Sequence, residues 1–233
     1  MYGFQADGLT SEHFSGWSQA ANFQAARKAG YDTIRSRRPD LNVDWRLHVC
    51  LWAAEQGMRR LGDFLECGVH TGIYSRAILE YIGKEWEYAG KNFWLLDTFK
   101  GIPTDQLSPA ERRNERMNRK YDGDVYEEVK QTFSRFSHVH VIQGEVPDTL
   151  SQIEGIGWDV PSLAYVSIDM NCAYPEVEAA KWAYPRMSPG AVMLLDDYGF
   201  RAHKAQREAL DAWAAETGVS ILSLPTGQGL VVK

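Results

Sequence analysis

The stretch LAYVSIDMNCAYPE, Leu163 to Glu176, decides how the chain folds. Leu163 to Ile168 are apolar or small with no clean polar alternation, as in a strand buried on both faces. The run ends in Asp169, turns through Asn171, and enters a segment with Pro175 at a helix start, where the missing N–H is harmless. Strand, acid, turn and helix form the repeating unit of a parallel sheet flanked by helices. In such sheets ligands lie beyond the carboxyl ends of the strands. The pattern therefore raises the question of what Asp169 does at that edge.

Working outward, the same unit recurs. DFLECGV (63–69), NFWLLD (92–97), HVHVIQG (138–144) and AVMLLDD (191–197) read as further strands, with helices between them. The clearest helix is 124–136, where Val125, Val129, Phe133 and Phe136 fall at helical spacing. After DDYGF a last helix turns Ala209, Leu210 and Trp213 inward. The ending differs: VSILSLP, TGQ and GLVVK make two strands and a tight turn, hence an antiparallel pair. The expected fold is α/β: a Rossmann-like, mostly parallel seven-stranded sheet with a C-terminal antiparallel hairpin and helices on both faces, similar to class I methyltransferases. Upstream, WSQAANFQAARKAG (17–30) predicts a helix closed by Gly30. A second helix, near 43–61, carries Trp45, Val49 and Trp52 on one face. Residues 1–61 are read as a helical cover and 62–233 as the catalytic domain. No repeat or linker divides them, so one compact fold is expected.

Composition narrows the class. The 233 residues carry 25 Lys and Arg against 31 Asp and Glu, a net charge of −6. That balance argues against a general nucleic-acid binder, whose affinity rests on neutralising phosphates. Cys50, Cys67 and Cys172 are odd in number and form no C-x-x-C pair, so neither a disulfide framework nor a zinc site is expected. No apolar run approaches the length that crosses a bilayer, and the N-terminus lacks a signal pattern. A cytoplasmic protein of small-molecule chemistry is the expectation.

The strand ends hold the candidates. ECGVHTG supplies Glu66, Cys67, Gly68 and Gly72 in a loop that lets a ligand approach the backbone, with His70 inside it. The absence of G-x-G-x-x-G disfavours nicotinamide dinucleotides and favours S-adenosylmethionine. LLDTFKGIP puts Asp97, Thr98 and Phe99 at the second strand end, where Asp97 either accepts the ribose hydroxyls or caps a turn. Gln143, Gly144 and Glu145 follow the third strand as adenine-side candidates. Asp169, Asp196 and Asp197 bring three carboxylates to one rim, which repel unless a cation or protons neutralise them. Oxygen ligands in that number suit Mg²⁺; the plainer reading is a solvated Asp169 and a capping Asp197.

These motifs together, ECGVHTG, DTFKGIP, DTL (148–150), IDMN, YPRMSPG (184–190) and DDYG, resemble the macrocin, mycinamicin and novobiocin type of sugar O-methyltransferase, over roughly residues 35–233. The resemblance implies S-adenosylmethionine and Mg²⁺ dependence and a sugar or glycoside acceptor. It implies cofactor contacts from Glu66, Gly68 and Asp97, and metal ligation by Asp169, Asp196 and Asp197. One departure stands out. The family has D-x-D where this chain reads DMN, and the second acid is the family's proposed general base. Asn171 cannot take a proton at neutral pH. Metal activation alone, another base (His70, Glu145 or His203), or a more acidic acceptor such as a phenol or carboxylate would each account for it. An accessory protein that binds the cofactor without turnover, and a nucleotide-sugar enzyme of other chemistry, are the rival classes. The basic tract ERRNERMNRK (111–120), with Arg112, Arg113, Arg116, Arg119 and Lys120, is either a lid with phosphate-binding arginines or a solvated or intersubunit surface. Arg35, Arg37 and Arg38 share that ambiguity. The aromatic N-terminus, with Tyr2, Phe4, Phe14 and Trp17, covers the active site or a second copy of the chain.

Overall fold

The structure, a computed structural model, describes residues 4–13, 15–113, 123–154 and 163–233. Tyr2, Phe14, Arg116, Arg119 and Lys120 lie outside them. The chain opens with a hairpin, β1 (Phe4–Ala6) and β2 (Leu9–Ser11), then α1 (Ala21–Asp32) and α2 (Asp44–Met58). The alternating part follows: β3 (Asp63–Cys67), α3 (Ile73–Ile82), α4 (Lys84–Ala89), β4 (Phe93–Asp97), α5 (Pro109–Arg112), α6 (Tyr126–Phe133), β5 (Val139–Gln143), α7 (Leu150–Glu154), β6 (Leu163–Ile168), α8 (Ala173–Ala183), β7 (Met187–Leu195) and α9 (Lys204–Thr217). β8 (Leu222–Ser223) and β9 (Gly229–Val232) close the chain. Among the described residues no helix is long and apolar enough to cross a membrane.

Among those residues the main sheet has seven strands in the order β5-β4-β3-β6-β7-β9-β8. The first five are parallel, and β9 runs antiparallel to both β7 and β8. Side chains alternate between two apolar layers. Phe64, Phe93, Leu95, Tyr165, Val192 and Leu194 pack under α1, α2 and α3. Leu65, Trp94, Leu96, Val166, Ile168, Met193 and Leu195 face α8 and α9. Burial on both sides explains why these strands lack polar alternation. The strand order reverses at β3, between β4 and β6, and the loops after these three strands surround the crevice where ligands bind in such sheets.

The N-terminal expectations need correction. Gly30 does not close α1 but lies inside it, because a Cβ there would stand 2.5 Å from the carbonyl oxygen of Ile73; the glycine lets α1 press against the start of α3. The buried face of α2 is Leu47, Cys50, Leu51, Ala54 and Gly57, whereas Trp52 is 44% exposed. Trp45 packs outward, against Phe4 and Trp17. The hairpin β1–β2 was not expected, although its turn carries an Asp-Gly signal, with Asp7 and Gly8 both at positive φ (52° and 72°). Pro175 sits in the first turn of α8, which begins two residues earlier. Phe23, Leu47 and Leu51 of the expected cover share one core with Phe64 and Phe93 of the sheet.

Candidate active site

Three loops build the crevice. After β3, Gly68 takes φ 90°, and a Cβ there would lie 1.9 Å from the Asp169 carbonyl oxygen, so only glycine lets the β3 loop touch the end of β6. At the end of β4, Asp97 gathers the chain around itself. Its Oδ2 accepts the Val69 and His70 amides at 2.6 and 2.7 Å. Its Oδ1 accepts the Phe99 amide at 2.7 Å, while the Thr98 hydroxyl, 3.3 Å away, donates to the Gly101 carbonyl at 2.6 Å. The capping alternative for Asp97 is therefore realised, and a ribose would have to share a carboxylate that already accepts three loop amides. His70, Phe99 and Asn171 hold φ of 51°, 57° and 60°. Each left-handed residue costs about 1–2 kcal/mol, and such strain gathers where ligands bind.

A first cavity of about 680 Å³, open solvent at its mouth included, lies over these loops. Phe99, Ile102, Pro103, Val125 and Val146 give it apolar walls, and Gly68, Gly101, Gly123 and Gly144 bring backbone close. His70, Asp97, Thr98, Asp169 and Asn171 give it polar points. An apolar slot with a few convergent polar groups suits a nucleoside-sized ligand. Burial holds His70 below the usual imidazole range; Asp97 opposes this, and Arg38 and Arg37 reinforce it.

A second cavity, about 1200 Å³ with its open mouth, meets the first at Gly68, His70, Asp169 and Asn171. Its lining gathers the ionisable side chains of Arg38, Arg46, Glu66, Asp169, Asp196, Asp197 and His203 on a wall that also includes Leu41, Val43, Ile73, Tyr74 and Phe200. Arg46 is the organising cation. It donates from Nη1 to Asp196 Oδ2 at 2.7 Å and from Nε to Asp7 Oδ2 at 2.9 Å, with the Phe200 ring 5.3 Å away. Gln228 Nε2 donates to the other Asp196 oxygen at 3.1 Å. Asn171 Nδ2 donates to Asp169 Oδ1 at 3.2 Å. Burial raises Asp169 well above the usual carboxylate range, and Asp196 and Asp197 push the same way. The Asn171 turn is itself held by Glu176, whose Oε1 accepts the Met170 and Asn171 amides, each at 2.9 Å.

The expected residues thus divide. Gly68, His70, Asp97, Thr98, Phe99, Gly144, Asp169 and Asn171 converge on the first cavity. Glu66 does not; it lines the second, fully buried, and burial, assisted by Asp97 and Asp196, moves its pKa up to about 8 against a contact from Ser75. Cys67 points into the core with Trp94 and Leu96. Gly72 caps α3 and lies against Phe133, its Cβ position 2.6 Å from that ring. Gln143 braces the Thr98 carbonyl at 3.2 Å, and Glu145 is exposed, accepting from Gln106 at 3.1 Å. His203 is buried beside Asp197, its Nε2 3.5 Å from Oδ2 and its Nδ1 3.0 Å from Gln206 Oε1. Of the basic segments, Arg112 bonds the Leu107 carbonyl and Arg37 pairs with Glu128. Asp7, Arg46, Val146 and Glu176, with Tyr74, Phe200 and Gln228, are among the site residues that the sequence did not announce. The Asp-Gly turn was the available signal for Asp7, and an acid in the first turn of a helix the signal for Glu176.

The expected metal set is not assembled. Among the described residues no three His, Cys, Asp or Glu side chains could hold a metal ion together. The cause lies in the partners present: both Asp196 oxygens are engaged by Arg46 and Gln228, Asp169 receives the Asn171 amide, and Asp197 faces His203. A hard divalent ion needs free carboxylate oxygens, so the residues as arranged do not fit one.

Comparison with known proteins agrees with the fold. Mycinamicin III 3''-O-methyltransferase of Micromonospora griseorubida is 28% identical over 218 residues, 87% of this chain and 80% of that protein. A rhamnosyl-tetracenomycin 4'-O-methyltransferase of Streptomyces olivaceus is 29% identical over 170 residues, 68% of this chain and 60% of that protein. Among solved structures, the O-methyltransferase NovP superposes with a TM-score of 0.70 at 19% identity, covering 94% of this chain and 99% of its own. The family model for macrocin O-methyltransferase matches residues 45–221, spanning β3 to α9 and all three crevice loops, and the chain belongs to that family.

Proposed function

We propose that the protein is an S-adenosylmethionine-dependent O-methyltransferase that methylates a hydroxyl of a sugar or a glycosylated small molecule. The observation that carries the reading is the meeting of two cavities at Gly68, His70, Asp169 and Asn171. One is apolar with glycine-lined backbone, the other charged and wide, and a group transferred between their occupants passes that junction. The acceptor class follows from the relatives, whose names describe methylation of glycosylated natural products.

S-adenosylmethionine, when bound, supplies an electrophilic methyl group for in-line transfer to an acceptor oxygen. In this reading Phe99, Val146 and Gly144 hold the adenine, and Asp97 and Thr98 lie beside the ribose. Gly68 and His70 back the amino-acid end, where Glu66 is too far round the β3 end to line the same cavity. Asp169, which lines both cavities, takes the proton of the acceptor hydroxyl. Asn171 orients that carboxylate by donating to Oδ1. Asn171 is thus a positioning residue at the place where the family resemblance implies an acid. Holding the reactants in line can contribute ~7–11 kcal/mol of the barrier.

Calorimetry with S-adenosylhomocysteine, followed by a turnover assay over sugars, glycosides, nucleotide sugars and phenols, tests the reading. Tight 1:1 binding and acceptor-dependent release of S-adenosylhomocysteine with a glycoside are expected. No binding overturns the cofactor assignment; release only with phenols or carboxylic acids overturns the acceptor class.

A further inference from the structure

We infer that Arg46, fixed by Asp7, is the resident cation of the acceptor cavity, and that it holds Asp196 in place of a divalent metal. The inference rests on the reading of the second cavity as the acceptor side, and deepens it.

Arg46 is anchored on three sides. Asp7 takes its Nε–H, at 3.2 and 2.9 Å from the two carboxylate oxygens, and also its backbone amide at 3.3 Å. Asp196 takes one Nη1–H at 2.7 Å. Phe200 lies over the guanidinium at 5.3 Å. The side chains of Arg46, Asp7 and Asp196 are 16%, 6% and 4% exposed, so little water screens the pairs. A guanidinium stays protonated throughout the working pH range, so its charge is permanent. Placing Mg²⁺ on Asp196 would strip Arg46 of its partner inside the cavity and set two cations side by side. Mg²⁺ also demands near-octahedral oxygen ligands and loses water reluctantly. With Gln228 on the second Asp196 oxygen and the Asn171 amide on Asp169, the competing donors belong to the chain itself. Guanidinium carries five N–H donors, of which Nε–H and one Nη1–H are engaged here, so the rest can meet an acceptor oxygen in the cavity that Arg46 lines.

Asp7 sits on the Asp-Gly turn of β1–β2, and Phe4 of the same hairpin packs on Trp17 and Trp45. The hairpin is therefore a fitted part that presents one carboxylate to Arg46.

The test is calorimetric titration of MgCl₂ into the full chain, with and without S-adenosylhomocysteine, beside initial rates in EDTA. The wild type is expected to show no saturable heat at millimolar Mg²⁺ and an unchanged rate in EDTA. Arg46→Met is expected to gain a single Mg²⁺ site that the added Asp196→Asn removes. Should Arg46→Met fail to fold, Asp7→Asn serves: with Arg46 loosened, weak Mg²⁺ binding should appear and the acceptor KM rise several-fold while S-adenosylhomocysteine affinity holds. Saturable wild-type Mg²⁺ binding that Asp196→Asn abolishes, or a rate lost in EDTA and restored by Mg²⁺, overturns the inference. So does a folded Arg46→Met with no gained site. Failure of S-adenosylhomocysteine to bind would instead overturn the methyl-transfer reading, since metal binding is read by its own heat.

Discussion

The two cavities share four residues and are built in opposite ways. The first is made of backbone: Gly68 in contact with β6, left-handed turns at His70, Phe99 and Asn171, and an Asp97 carboxylate saturated by amides. The second is made of side-chain charge, with Arg46 between Asp7 and Asp196 and a buried Glu66 nearby. A site of backbone is shaped before its ligand arrives, because its donors are fixed by the loops that carry them. A site of balanced charges depends on every partner being present, because removing one leaves another buried and uncompensated.

That contrast can be broken most forcefully at Gly68. Gly68→Ala sets a Cβ against the Asp169 carbonyl at a φ that alanine resists, so stability should fall by more than about 3 kcal/mol, with loss of S-adenosylhomocysteine binding. Thermal melts and calorimetry check it; near-normal melting would mean the loop relaxes and the backbone rule is wrong. Asp169→Asn comes next. Turnover should drop ~10³-fold, within the range set by loss of a general base, while S-adenosylhomocysteine binds within a few-fold of wild type. Equal losses in both would reassign Asp169 to cofactor holding.

Glu66 sharpens the charged side. Its folded pKa is raised, to about 8, so the fold binds the proton more tightly than the unfolded chain does. The stability this proton gives is complete at acid pH and drains away as pH rises from the ordinary glutamate range through about 8. Glu66→Gln has no proton to lose and should be more stable at neutral pH by roughly 3 kcal/mol, with the gap widening up to about pH 8. Parallel pH–stability curves for the two proteins would dismiss the buried, protonated Glu66. The smallest effect is expected from Asp97→Asn, which keeps one acceptor oxygen for the loop amides. S-adenosylhomocysteine affinity should weaken ~10-fold, or ~1–2 kcal/mol, measured by calorimetry. A complete loss would mean that Asp97 also holds the ligand directly.

The backbone cavity was also the legible one. ECGVHTG, DTFKGIP and IDMN are short, contiguous motifs, and their glycines and acids fall at strand ends that hydrophobic runs already predict. The alternation of strands and helices follows the same signals, whereas the strand order does not, because pairs such as β3 and β6 join residues far apart in the sequence. The charge cavity was not legible, because its contacts join distant residues: Arg46 and Asp196 are 150 positions apart, and Arg46 and Asp7 are 39 apart. Without knowing that α2 crosses the sheet beside β6 and β7, three acids at a rim read as a metal site, since nothing local announces a guanidinium among them. Gly30 misled for a related reason. A glycine at the end of a helical pattern signals a cap, and only the packed α3 reveals that it marks a close approach instead.

The β1–β2 hairpin carries a practical consequence for handling the protein. Its Asp7 carboxylate reaches the lining of the second cavity through Arg46, whereas Lys233 pairs its backbone with Gly190 and Ala191 and lays its ammonium over the Tyr184 ring. A change that displaces this hairpin, a fusion partner included, therefore disturbs the second cavity from a distance by loosening Arg46.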